Sequence, residues 1–142
     1  MTTIAQMMDA LATGIQTHLC GTANPVIRDL QVDGRLIPSP TPPAVDIYPG
    51  EPPFTEQISF GPGNREYHFT VRVRVGTADN EAGQNLLLSM MDDESAESME
   101  TALYTVTGVK TVEGPTGYGV FSDVGAQPIS LIGCTWRVGM IP

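Results

Sequence analysis

Few residues of this chain have types that do chemistry, and their spacing gives that chemistry little support. The two histidines, His18 and His68, are far apart, one in an expected helix and one on the polar side of an expected strand. Neither lies near a G-x-S-x-G or Cys-x-Gly signature, so both read as structural or solvated. His18 and Cys20 are two apart on a helix and point to different faces, which rules out a thiol–imidazole pair. Cys20 and Cys134 stand near opposite ends of the chain in apolar settings and match no metal-ligand spacing. They read as buried free thiols, as in a reducing cytoplasm.

Asp92, Asp93, Glu94, Glu97 and Glu100 form the densest acidic run. It lacks the alternating ligands and obligatory glycine of a calcium loop. Acids in the first turn of a helix are favoured by its dipole, and Glu97 and Glu100 fall on the wet face of the helix expected there. A solvated face is the plain explanation; an acidic recognition surface is the other. Gly114, Gly117 and Gly119 have a spacing reversed from the dinucleotide fingerprint, and no helix follows them. Gly61-Pro62-Gly63 is turn chemistry. These patterns call for no catalytic residue, no metal and no cofactor. Arg72 and Arg74 differ in kind, since they project together from one strand face of a chain poor in bases. A solvated face competes there with a subunit-interface role, for which arginine's bidentate pairing with carboxylates is suited.

The charge balance limits the partners. Sixteen acids face seven bases, Lys110 is the single lysine, and the formal net charge is −9. Tight binding to DNA or RNA needs clustered Lys and Arg, and docking on anionic membrane needs the same. DNA that slides past without sticking is compatible with such a surface. The N-terminus shows no signal-peptide pattern, and no apolar run approaches the roughly 20 residues of a membrane span.

The elements that must position these residues fit one domain over 1–142, large enough to bury roughly 70% of its unfolded surface. Residues 3–20 read as a helix, with Ile4, Met7, Met8, Leu11, Ile15 and Leu19 in one apolar stripe and Thr3 with Gln6 as a capping box. Gly21 and Pro25 suit its C-terminal end. A short strand is expected over Val26 to Val32. Eight of the twelve prolines then fall between Pro38 and Pro62, so an arm or loop is expected at about 33–64, with Ala44 to Tyr48 its one strand. Tyr67 to Val75 alternates strictly and reads as a half-buried strand, ended by Gly76. Asp79 to Met91 reads as a helix with Ala82, Leu86, Leu87, Met90 and Met91 inward. Ser95 to Tyr104 reads as another, on Ala96, Met99 and Leu103. Val109 to Glu113 is a candidate strand, Gly114 to Gln127 a glycine-rich loop, and Ile132 to Ile141 a closing strand with Cys134, Trp136, Val138 and Met140 opposite Thr135 and Arg137. The expected architecture is α+β: a mixed, mainly antiparallel sheet with helices packed on one face, in the order α-β-β-β-α-α-β-β.

This pattern resembles the tail terminator proteins of long-tailed, siphovirus-type bacteriophages. The resemblance rests on the N-terminal helix, the proline-rich middle with a strand ending in Tyr48-Pro49, and the strand Tyr67-His68-Phe69-Thr70-Val71-Arg72-Val73-Arg74-Val75. The Asp79-x-x-Ala82-x-Gln84 helix start, the helix ending Met99-x-x-Ala102-Leu103 and the closing strand add to it. It covers most of the chain as an order of elements, not as a signature motif.

The resemblance implies a structural, non-enzymatic virion protein. It forms a ring of identical subunits, typically hexameric, that caps the completed tail tube and joins it to the head connector protein. Its partners are then its own copies, the tail tube protein and the head connector. DNA passes through the lumen, no membrane is involved, and assembly takes place in the host bacterial cytoplasm. An acidic lumen would repel the DNA backbone and let the genome pass. Arg72 and Arg74 meeting Glu97 and Glu100 of the next copy is the expected subunit interface. Another head–tail connector, head-closure or minor tail protein is the related alternative. A small ligand-binding or hydrolytic domain, with its pocket under the glycine-rich loop, is the alternative of a different class.

Overall fold

The computed structural model describes residues 3–20, 27, 30–37, 42–50, 54–57, 65–77, 81–122 and 130–141. Its elements run α1 (Ile4–Leu19), β1 (Gln31–Asp33), β2 (Ala44–Pro49), β3 (Thr55–Gln57), β4 (Arg65–Gly76), α2 (Glu81–Met91), α3 (Met99–Tyr104), β5 (Val109–Ser122) and β6 (Ser130–Met140). The strands form one sheet along the path β1–β2–β4–β6–β5, with β3 paired to the start of β4. Among the described residues the β1–β2 pairing is parallel and the others are antiparallel. The expected α+β class and element order hold. The addition is β3, a three-residue strand inside the proline-rich stretch, too short to show a period.

Alternation along the strands separates two faces. Val45 and Ile47 of β2, Phe69, Val71 and Val73 of β4, and Cys134, Trp136 and Val138 of β6 share one core with the helices. Met7, Leu11, Ile15 and Leu19 of α1, Leu87 and Met90 of α2, and Met99 and Leu103 of α3 close it from one side. Burial of this apolar surface, about 25 cal/mol per Å², is the main stabilising term. Phe54 reaches this layer too, edge-on to Tyr67 and Phe69 with ring centroids 5.9 and 5.5 Å apart. The strand over Tyr67 to Val75 is longer than expected. It is also covered on both faces rather than half-buried, since His68 and Arg74 on its polar side are buried as well.

Local chemistry sets the element ends. Thr3 Oγ1 accepts from the Gln6 N–H and Gln6 Oε1 from the Thr3 N–H, so the expected capping box starts α1. Ile4, expected in the apolar stripe, is 42% exposed, and the stripe begins at Met7. In α2, Gly83 rather than Ala82 turns inward. The helix expected from Ser95 begins only at Met99. Asp92 Oδ1 and Ser95 Oγ accept from the Glu94 and Glu97 N–H groups, which holds those residues in turns. Ser98, fully buried, then caps the helix by accepting from the Thr101 N–H.

The glycine-rich segment is not a loop up to Ser122: it continues β5. Register shifts against β6 at Glu113/Thr116 and Thr116/Gly119 absorb Gly114 (φ 117°) and Gly117 (φ 69°). Bulges of this kind tolerate the positive φ that glycine supplies without breaking the ladder. Tyr104 of α3 accepts from the Val112 N–H at 3.2 Å and so covers part of this sheet edge. Val26, Gly21, Pro25, Asp79, residues 123–129 and, within the proline-rich stretch, residues 38–41, 51–53 and 58–64 (with Gly61-Pro62-Gly63) lie outside the described residues.

Candidate functional site on the polar face of the sheet

The helices leave the other face of the sheet to polar side chains. Asp46 of β2 stands opposite Arg72 of β4, which stands opposite Thr135 of β6; Tyr48, Thr70 and Arg137 make the next row. Asp46 is 1% exposed. Arg72 grips its carboxylate with two donors, Nε to Oδ1 at 3.0 Å and Nη2 to Oδ2. The Arg72 guanidinium also lies over the Tyr48 ring, 5.4 Å from its centroid. Arg74 Nη2 donates to Asp46 Oδ2 at 3.3 Å and to the Ile37 carbonyl at 2.7 Å, while the Ile37 N–H donates back to Asp46. The cluster thus ties Ile37, on the connection that follows β1, down onto the sheet.

This corrects the expected interface. Arg74 is 3% exposed and cannot reach carboxylates on another molecule. Arg72 is committed to Asp46 within its own chain. Both arginines are buried or half-buried members of an internal charge cluster, not a solvated face. Glu97 and Glu100 are half-buried near α3, on the helix side of the sheet; it is the burial and internal pairing of the two arginines that removes them from the expected contact. The dipole account of the acidic run is corrected as well. Only Glu100 lies in the first turn of α3, while Asp92 and Asp93 follow the C-terminal end of α2, where the dipole disfavours acids.

A second polar group was not singled out from sequence. Arg137 Nη2 donates to His68 Nδ1 at 2.8 Å, so Nδ1 is the acceptor and Nε2 carries the imidazole proton. That nitrogen lies 3.7 Å from Glu66 Oε1, which in turn is 3.4 Å from Thr111 Oγ1. His68 thus holds the Arg137 guanidinium in place. Beside Arg137 a cleft of about 380 Å³ is lined by Tyr48, Thr70, Thr116, Gly117, Thr135 and the Trp136 segment. Thr116 and Thr135 hydroxyls are 3.2 Å apart at its wall.

The cysteines are free, Cys134 buried and Cys20 half-buried. Burial pushes the Cys134 thiol up to about 12 and raises that of Cys20 as well. A raised value favours the neutral thiol, and the thiolate is the nucleophile. At pH 8 a disulfide reagent should therefore titrate Cys20 first and Cys134 only after denaturation. Two thiols reacting at equal rates in the native protein would contradict this burial.

Among the described residues no group of three or more His, Cys, Asp or Glu side chains is arranged to hold a metal ion. No helix among them is long and apolar enough to cross a membrane. Neither a protein-family model nor a curated protein sequence gives a significant match to the chain.

Proposed function

We propose that this chain is a structural, non-enzymatic virion protein of a long-tailed phage: the ring that terminates the tail tube and joins it to the head connector. The observation that supports this reading is positional. The elements that carry the resemblance, from the N-terminal helix through the Tyr48-Pro49 strand end and long β4 to the short helix ending at Tyr104 and the closing strand, are elements of the fold in that order. The partners under this reading are further copies of the chain, the tail tube protein and the head connector, with DNA passing through an acidic lumen. The place of action is the virion tail, assembled in the bacterial cytoplasm.

A second reading has one observation in its favour. The cleft beside Arg137 lies against the glycine-rich part of β5, where a small ligand-binding or hydrolytic domain would carry its pocket. Negative-stain microscopy of the purified chain, alone and mixed with tail tubes, separates the two. Rings, and caps at one end of the tubes, are expected. Monomers that leave tubes uncapped, together with a small molecule retained in the cleft, would favour the second reading.

A further inference from the structure

We infer that the Arg137 cleft is the docking site for an acidic turn of the next copy, Asp92-Asp93-Glu94, in a head-to-tail contact. The inference rests on the ring reading above and deepens it. Three observations carry it. Arg137 is half-buried and held in place by His68, yet among the described residues no carboxylate forms an ion pair with it. Its cross-strand neighbour Glu113 is exposed and does not close one. Thr70 shares the cleft and can donate to a carboxylate oxygen, while the Thr116 and Thr135 hydroxyls, paired with each other and with each other's carbonyls, form its polar wall.

The second observation is charge. Copies of a chain of net −9 repel one another, and that repulsion is offset where acids meet its few bases. Arg35, Arg72 and Arg74 are already paired with Asp9 and Asp46. Lys110 and Arg65 are exposed and solvated. Among the described bases, Arg137 is the one that combines a fixed position with an adjoining cleft; Arg28 lies outside the described residues.

The third is placement. Asp92, Asp93 and Glu94 are exposed in the turn between α2 and α3, on the helix layer, where the α2 dipole disfavours them. The cleft is on the opposite face of the sheet. One molecule cannot satisfy its own pair, but two different patches on opposite layers are what a heterologous, ring-closing contact requires.

The test is self-assembly of the full chain, followed by sedimentation and negative-stain microscopy. Asp93→Arg with Glu94→Arg alters exposed positions and leaves the fold intact. It should raise the concentration of half-assembly about tenfold or more, as should Arg137→Glu. Combining the three changes should restore rings to within about threefold of wild type. If wild type forms rings and the Asp93→Arg, Glu94→Arg chain forms them equally well, this contact is wrong and the ring reading stands. If wild type stays monomeric at every concentration and on tail tubes, the ring reading falls and the contact with it.

Discussion

Asp46→Asn is expected to lower the unfolding free energy by about 3–5 kcal/mol, a large share of the roughly 5–15 available to a domain of this size. The cause is what the substitution leaves behind. Two guanidinium groups, one of them 3% exposed, would share a single neutral amide oxygen in place of a full carboxylate. The Ile37 N–H would compete for the same atom. Burying an uncompensated charge costs several kcal/mol, far more than the net worth of the pair. Urea denaturation of wild type and variant measures the loss. A variant within about 1 kcal/mol of wild type would mean that water already reaches the cluster. The same reasoning predicts that reversing both Arg72 and Arg74 to Glu unfolds the chain, by placing three carboxylates together. That variant cannot report on assembly.

The cluster also illustrates what the sequence discloses and what it hides. Asp46 is the one charged residue inside the apolar run Ala44–Tyr48, and Arg72 and Arg74 stand out on the alternating strand. Their partnership depends on the β2–β4 register, which places Asp46 opposite Arg72 and Ala44 opposite Arg74. A slip of one residue would turn Asp46 into the core, so the charge cluster specifies the register as much as it stabilises it. No period in the sequence contains that pairing, which is why an intermolecular partner was expected for arginines that have an internal one. Arg137 was visible as a polar position on the last strand, but its significance comes from two non-local facts, the neighbouring Thr70 and the buried His68 acceptor. The long strand, α1 and the core positions of β6 were legible because burial imposes a strict period on them. The second half of β5 was not. Glycine and Pro115 signal a turn locally, and only pairing with β6 across two bulges makes them a strand.

Val73→Asp tests the opposite face of the same strand and should be the more damaging change. Val73 is fully buried, opposite Val45 on one side and Cys134 on the other, in the layer shared with the helices. Alternation sends Arg72 and Arg74 to the other side of the sheet, so neither can meet a carboxylate at position 73. An unpaired charge there costs several kcal/mol on top of the lost packing. Val73→Ala supplies the packing loss alone, about 2 kcal/mol from two methyl groups and the space they leave. Val73→Asn adds a neutral polar group without charge. The three should rank Ala, Asn, Asp in increasing damage, and lowering the pH should narrow the gap between Asn and Asp by protonating the carboxylate. Trp136, the single tryptophan and 1% exposed in the same layer, gives the readout. Its emission should be shifted to the red in Val73→Asp before any denaturant is added, and near the wild-type position in Val73→Ala. Wild-type emission and melting for Val73→Asp would show that the strand presents its other face to the helices, and the assignment of both faces would have to be exchanged.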